Sequence, residues 1–166
     1  MEIKPAILYR EEIQRKGREL YYSTDGLYYR GYIGNCDIEV TETDNEGRLF
    51  QWAVIDGSKL IGFISYQIDW YSSNAYAFGL ISFDKGNPGI GYAMRQIMNH
   101  IIKTNKIHRI EWRCVGGNPV KRHYDFFCEQ LKGRCFELFD VIKDTEGKYH
   151  NEYIYEVILP AAESEE

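Results

Sequence analysis

The sequence predicts a mixed α+β fold. It would be a mostly antiparallel, twisted sheet with a central parallel strand–helix–strand unit and flanking helices. Three observations carry this reading. Two apolar runs joined by Asp56-Gly57-Ser58 read as a hairpin. A third run, Ala75 to Phe83, is followed by Ile90, Ala93, Met94, Ile97, Met98, Ile101 and Ile102, one continuous helical face. A short strand from His108 to Val115 comes next, and a strand–helix–strand crossover returns the chain parallel to where it began.

Taken in order, residues 5–22 read as a charged helix, with Pro5 in its first turn and Ile7, Ile13, Leu20 and Tyr21 as a partial stripe. Gly17 costs about 1 kcal/mol in a helix interior, so two shorter helices are an alternative. Residues 23–47 are polar and rich in Gly and Asp, a loop with room for one short element. The hairpin strands are Arg48 to Ile55 and Lys59 to Tyr71, and Ser72-Ser73-Asn74 turns the chain into the third strand. The helix at 88–104 and the strand at 108–115 follow. Asn118-Pro119 opens a further helix as cap and first-turn residue, with Val120, Tyr124, Phe127 and Leu131 facing inward and Gly133 ending it. Strands at about 134–142 and 148–159 close the fold around a turn at Asp144 to Gly147. One domain over 1–160 is expected, with 161–166 as an acidic disordered tail.

Composition narrows the function classes. A net charge of −5 and a pI near 5.5 argue against a basic field for nucleic acid or anionic membrane. No apolar stretch approaches the roughly 20 residues of a membrane span, and MEIKPAILYREEIQ is not a secretory signal. A cytoplasmic protein is expected. Cys36, Cys114, Cys128 and Cys135 form no CxxC pair and the histidines no HxxxH spacing, so reduced thiols and no metal are expected. The 14 tyrosines suit half-buried strands and ligand grooves alike.

The informative stretch runs from Ile81 to Ala93: a strand ends, Gly86, Gly89 and Gly91 follow, and an amphipathic helix begins. Unpaired N–H groups and the helix dipole make such a turn an anion site, unless the glycines serve only its dihedral angles. A P-loop is excluded because Tyr92 and Ala93 follow Gly91 where Lys and Ser/Thr are needed. A dinucleotide fold is excluded because Met94 stands at the third glycine and too little chain follows Glu111.

Strand, Gly86-Asn87-Pro88-Gly89-Ile90-Gly91 and amphipathic helix together resemble the pyrophosphate loop of the GNAT superfamily of N-acetyltransferases. The strand ending near Arg113 and the helix opening at Asn118 with Tyr124 inside it are similar to that family's next motif, and the element order over 48–159 matches. Gly86 stands where the family has Arg or Gln, Tyr124 follows Asn118 one residue early, and Arg134 replaces an aromatic.

The resemblance implies acetyl transfer from acetyl-CoA, the acetyl donor, to an amine of a small molecule or protein by direct attack on the thioester. It implies that Leu80, Ile81, Ser82 and Phe83 meet the acetyl and pantetheine groups, while Gly86 and residues Gly89, Ile90, Gly91, Tyr92 and Ala93 hold the pyrophosphate. Charge-assisted hydrogen bonds of that kind contribute about 1.5–3 kcal/mol each. It also implies a cofactor contact for Asn118, otherwise a plain cap, and makes Tyr124 the general acid, otherwise a core tyrosine. Asp84, Glu111 and His123 are candidate bases. A homodimer is compatible with the sequence. The alternative reading is a non-catalytic acyl-CoA-binding or regulatory module on the same fold.

Overall fold

The computed structural model describes residues 1–29, 37–42, 47–104 and 107–160; Cys36 and the acidic tail at 161–166 lie outside them. Among the described residues the chain is α+β, with seven strands in the order β1-β2-β3-β4-β5-β7-β6 and three α-helices. The strands are β1 (Glu2–Pro5), β2 (Leu49–Asp56), β3 (Lys59–Asp69), β4 (Asn74–Ser82), β5 (Arg109–Val115), β6 (Arg134–Lys143) and β7 (Tyr149–Ile158). The helices are α1 (Arg10–Tyr21), α2 (Pro88–Thr104) and α3 (Lys121–Gln130). The expected parallel unit is present: β4 pairs β5 in parallel, Asn74 opposite Arg109 and Phe78 opposite Trp112. The chain divides into two compact units, Met1–Tyr66 with Gly79–Arg95, and Gln67–Phe78 with Gln96–Glu166.

In the first unit the N-terminus corrects the sequence reading. Residues 2–5 form an edge strand against β2, with Ile3 opposite Val54 and Pro5 opposite Trp52. A 3-10 turn at Ala6–Tyr9 follows, and α1 begins only at Arg10. Pro5 has no N–H to give a ladder, which is tolerated at the end of an edge strand, so it closes β1 rather than opening a helix. The break therefore falls before Arg10 and not at Gly17, which is buried inside α1. A Cβ on Gly17 would lie 2.6 Å from Ile38 Cδ1. Close approach, not helix termination, accounts for that glycine. Ala6, Ile13, Ile38, Val40, Ala53, Ile55, Leu60, Phe63 and Ile81 make the core here, with Tyr29 and Phe83 packed against it.

In the second unit the core is aromatic. Trp112 stacks on Tyr155, its β7 partner, with ring centroids 5.3 Å apart and planes at 4°. Phe127 and Tyr124 of α3 meet the Trp112 ring edge-on at 5.8 and 6.1 Å. On the opposite side of the strands runs an ion ladder. Arg109 bonds both Glu111 and Glu156, each at 2.5 Å, and Arg134 also bonds Glu156. These arginines hold the Glu156 carboxyl below the usual range, Arg109 foremost.

Helix α3 departs from expectation at both ends. It starts at Lys121, because Asn118 forms a turn of its own: its Oδ1 accepts the Val120 N–H at 3.1 Å and its carbonyl the Lys121 N–H at 3.0 Å. At the C-terminus Lys132, at φ 54°, takes the left-handed position, while Gly133 N–H bonds Cys128 O at 2.8 Å and Lys132 N–H bonds Glu129 O at 3.0 Å. That pair is a Schellman closure. Gly133 is required for a different reason: a Cβ there would lie 2.7 Å from both Cys128 Sγ and Glu156 O. Two substitutions should therefore move stability in opposite directions. Gly133→Ala lowers it by about 1–3 kcal/mol through overpacking against backbone, and Lys132→Gly raises it by about 1 kcal/mol by removing left-handed strain. Chemical denaturation of both variants measures the pair.

Candidate functional site

Strand β4 is irregular where the site begins. Ala77 sits at φ 49°, a left-handed conformation unusual for a side-chain-bearing residue, and the β5 register shifts between Ala75 and Phe78. Phe78 is the last β4 residue with a β5 register partner, and β4 runs on through Gly79–Ser82. On its other edge Phe83 N–H bonds Ile61 O of β3 at 2.8 Å. A Cβ on Gly62 would lie 3.0 Å from Ile81 O, so that carbonyl also faces β3. By strand alternation the polar backbone groups of Leu80 and Ser82 face the other way.

The turn after β4 is built around Asn87. Its Oδ1 accepts the Gly89 N–H at 2.9 Å, its carbonyl accepts the Ile90 N–H at 3.2 Å, and Pro88 occupies the first helical position. This is an N-cap followed by proline, the geometry that sequence reasoning assigned to Asn118-Pro119. The signal was present in the same dipeptide at 87–88. The Asn87 amide donates to Asp84 Oδ2 at 3.1 Å and Asp56 Oδ2 at 3.3 Å, and Lys59 Nζ reaches Asp84 at 3.0 Å. Asn87, then Lys59, holds the Asp84 carboxyl below the usual range, which makes it a weak proton acceptor.

The cap redistributes the expected anion donors. The Gly89 and Ile90 N–H groups are spent on Asn87, and those of Tyr92 and Ala93 lie inside the helix. Among the described residues the N–H groups of Lys85 and Gly86 give no hydrogen bond within this turn. Gly86 lies at φ 82°, and a Cβ on Gly86 or Gly91 would meet nothing within 4 Å. A Cβ on Gly89 would instead crowd Asn87 Oδ1 at 3.0 Å and Ile61 Cδ1 at 3.1 Å. So Gly86 and Gly91 face open space, Gly86 with a bare donor, and Gly89 is a packing glycine.

Residues that carried no motif close on this strand end. Tyr29 packs against the core that holds Ile81, and its hydroxyl pKa is raised by burial and then by the Asp25 charge. Asp25 pairs with Lys85, and Lys16 lies 5.8 Å over the Phe83 ring. Aromatic content alone could have flagged Tyr29 only as one tyrosine among fourteen.

Tyr124 and Asn118 belong to the second unit. Tyr124 is 3% exposed, edge-on to Trp112 and to Tyr155, whose ring lies 5.9 Å away. Asp125 accepts the Tyr155 hydroxyl at 2.6 Å and Lys121 Nζ at 2.9 Å. Of the candidate bases, Asp84 is engaged as described, Glu111 is paired with Arg109, and His123 is exposed beside Arg122 at 3.4 Å. No activated thiol stands among the described cysteines. Burial pushes Cys114 up to about 12, and Cys128 and Cys135 are raised for the same reason. Nor do described His, Cys, Asp and Glu side chains gather in a group able to hold a metal ion.

Asn87→Ala should cost about 1 kcal/mol of stability, the usual loss for a helix cap. NMR titration should place the Asp84 pKa higher in this variant than in the wild type, because the Asn87 amide hydrogen bond that holds it down is gone.

No family model and no curated protein sequence matches the chain. Solved structures do. The spermidine/spermine N-acetyltransferase SpeG of Vibrio cholerae matches at TM-score 0.56 and 16% identity, over 69% of this chain and 67% of its own. The ribosomal-protein-S18-alanine N-acetyltransferase of Escherichia coli matches at TM-score 0.57 and 15% identity, over 72% and 74%. The Streptococcus mutans UA159 protein Smu.2055 matches at TM-score 0.60 and 17% identity, over 96% and 100%. Spatial likeness at such low identity speaks to architecture: this chain has the fold of the GNAT-type N-acetyltransferases.

Proposed function

We propose that the chain is an acetyl-CoA-dependent N-acetyltransferase that moves an acetyl group to a primary amine by direct attack on the thioester. One observation carries this reading. The strand-to-helix turn keeps bare N–H groups at Lys85 and Gly86, with open space where Gly86 and Gly91 lack side chains. Diphosphate oxygens need that combination of donors, positive helix end and clearance. Acetyl-CoA supplies the activated acyl group. Leu80 and Ser82 offer outward-facing backbone for the pantetheine arm, and the turn holds the diphosphate. The raised cysteines argue for direct transfer over an acyl-enzyme. The names of two structural neighbours, one for spermidine/spermine and one for a ribosomal-protein alanine, support an amine acceptor of either a small molecule or a protein. The overall acidity favours a cationic amine through steering.

In this reading Tyr124 protonates the departing thiolate, a task suited to a phenol because it is protonated at neutral pH. A second reading, a non-catalytic acyl-CoA-binding module, draws support from the burial of Tyr124 and from the engagement of Asp84 and Glu111. Thiol release from acetyl-CoA across a panel of amines separates them. Tight binding without turnover on any amine favours the module.

Acetyl-CoA should raise the melting temperature of the protein, since it stabilises only the state that binds it. Gly91→Leu should abolish that shift while leaving the free protein folded, because its side chain enters open space. Gly89→Leu should destabilise the free protein as well, through Asn87 and Ile61. An unmoved wild-type melting curve at saturating acetyl-CoA would discard the donor assignment. Tyr124→Phe keeps the ring and its aromatic contacts. With the phenol as acid, kcat should fall by about 10²–10⁴ while KM for acetyl-CoA stays within a few-fold. Unchanged kcat would return Tyr124 to the core.

A further inference from the structure

We infer that the outer edge of β6 is a dimer interface: residues 134–138 pair antiparallel with the same segment of a second copy, about a two-fold axis at Phe136. β6 is the last strand of the sheet, with β7 on one side and, among the described residues, no strand on the other. Its residues are exposed on both faces from Arg134 to Val141. An exposed edge is a template for another strand, and proteins blunt such edges with bulges, prolines or outward charges. β6 is blunted over only half its length. Between Leu138 and Ile142 the register with β7 shifts, and Asp140 takes φ 55°, so a bulge turns that half out of line. From Arg134 to Leu138 the register is unbroken, running opposite Glu156 to Glu152. The two charges in this regular half do not guard its outer edge, because both are tied back to β7. Arg134 pairs with Glu156, and Glu137 accepts the Tyr153 hydroxyl at 2.6 Å and the Asn151 amide at 2.7 Å. Phe136 and Leu138 are left 48% and 38% exposed on the face that carries Arg134.

Charge and symmetry select a second copy as the occupant. The chain carries a net charge of −5, yet Arg134, Glu137, Asp140 and Lys143 of β6 sum to zero, so two copies meet here without net repulsion between the strands. Identical antiparallel strands are related by a two-fold axis through the sheet, so one residue must face its own copy. With Glu137 on the axis, carboxylate meets carboxylate, which a sheet disfavours. With Cys135 there, Leu138 falls opposite a residue before the strand begins, and with Leu138 or any later residue the pairing runs through the bulge. With Phe136 on the axis, Arg134 meets Leu138 and Cys135 meets Glu137, with no like charges opposed. The two Phe136 rings then lie side by side, with a Leu138 beyond each of them on the same face. Main-chain hydrogen bonds supply the attachment and this apolar row the burial.

The test is the mass of the full chain by analytical ultracentrifugation over a concentration series. The wild type should sediment as a dimer, with twice the 19.5 kDa of one chain. Phe136→Lys sets two ammonium groups against each other on the axis, and its mass should fall to that of one chain. A wild type that stays monomeric throughout the series overturns the inference, and so does a Phe136→Lys variant that stays dimeric. If the Lys variant does not fold, oxidative crosslinking decides. In a Cys135→Ser background, Phe136→Cys brings two thiols together at directly opposed positions and should give a disulfide-linked dimer. Val141→Cys, in the bulged half, should not. Crosslinking at position 141 without crosslinking at 136, or at neither, overturns the inference. Dimerisation is read without any donor or amine, so its outcome is separate from that of the acetyl-CoA reading.

Discussion

The structure turns on what β4 does with its two edges. Toward β3 it stays hydrogen-bonded as far as Phe83, but toward β5 its register ends at Phe78, one residue after Ala77 takes a left-handed φ of 49°. A non-glycine residue is held in that conformation only when its surroundings over-determine it. Here the surroundings are a parallel ladder on one side of the bulge and a β3-paired strand on the other. The irregularity releases backbone from a buried ladder, which is the condition for any ligand to pair with it. Everything downstream inherits this release, including the direction in which Leu80 and Ser82 face.

The turn that follows is economical with donors. Asn87 uses its carbonyl oxygens and its amide to close the turn, cap α2 and fix Asp84 and Asp56. The residues left with bare N–H groups are the ones whose side chains are absent or point away, and Lys85 spends its ammonium on Asp25. An anion arriving there meets backbone dipoles rather than mobile charges. Preorganised donors of that kind lose little entropy on binding. The aromatic unit built on Trp112 works differently. Its rigidity comes from stacking between register partners, so Tyr124 is oriented by packing, whatever its hydroxyl does.

Much of this was legible in the residues. The hairpin at Asp56-Gly57-Ser58, the period of α2 and the parallel return of β5 follow from local patterns whose physics is short-range. Pro5 and a charged amphipathic run look alike in sequence whether they open a helix or close an edge strand; the choice is made by β2, more than forty residues away. Asn118 and Asn87 both precede proline, yet only Asn87 caps the helix that follows. In one case the chain makes an extra turn before its helix, and that follows from three-dimensional closure rather than composition. Gly17 and Gly133 carried a second ambiguity, since sequence cannot distinguish a glycine that bends the backbone from one that admits a neighbour.

The ion ladder on the second unit has an evolutionary corollary. Glu111 and Glu156 stand directly opposite one another on adjacent strands, a like-charge pairing that sheets disfavour. Arg109 lies between them and bonds both at 2.5 Å, and Arg134 takes the remaining oxygen of Glu156. Four positions on three strands, 109, 111, 134 and 156, are therefore coupled. Losing the arginine at 109 while keeping both acids removes the one cation that they share, so the permitted route runs through prior loss of one glutamate. The order of substitution is constrained even though each residue lies at a surface where single changes are usually tolerated.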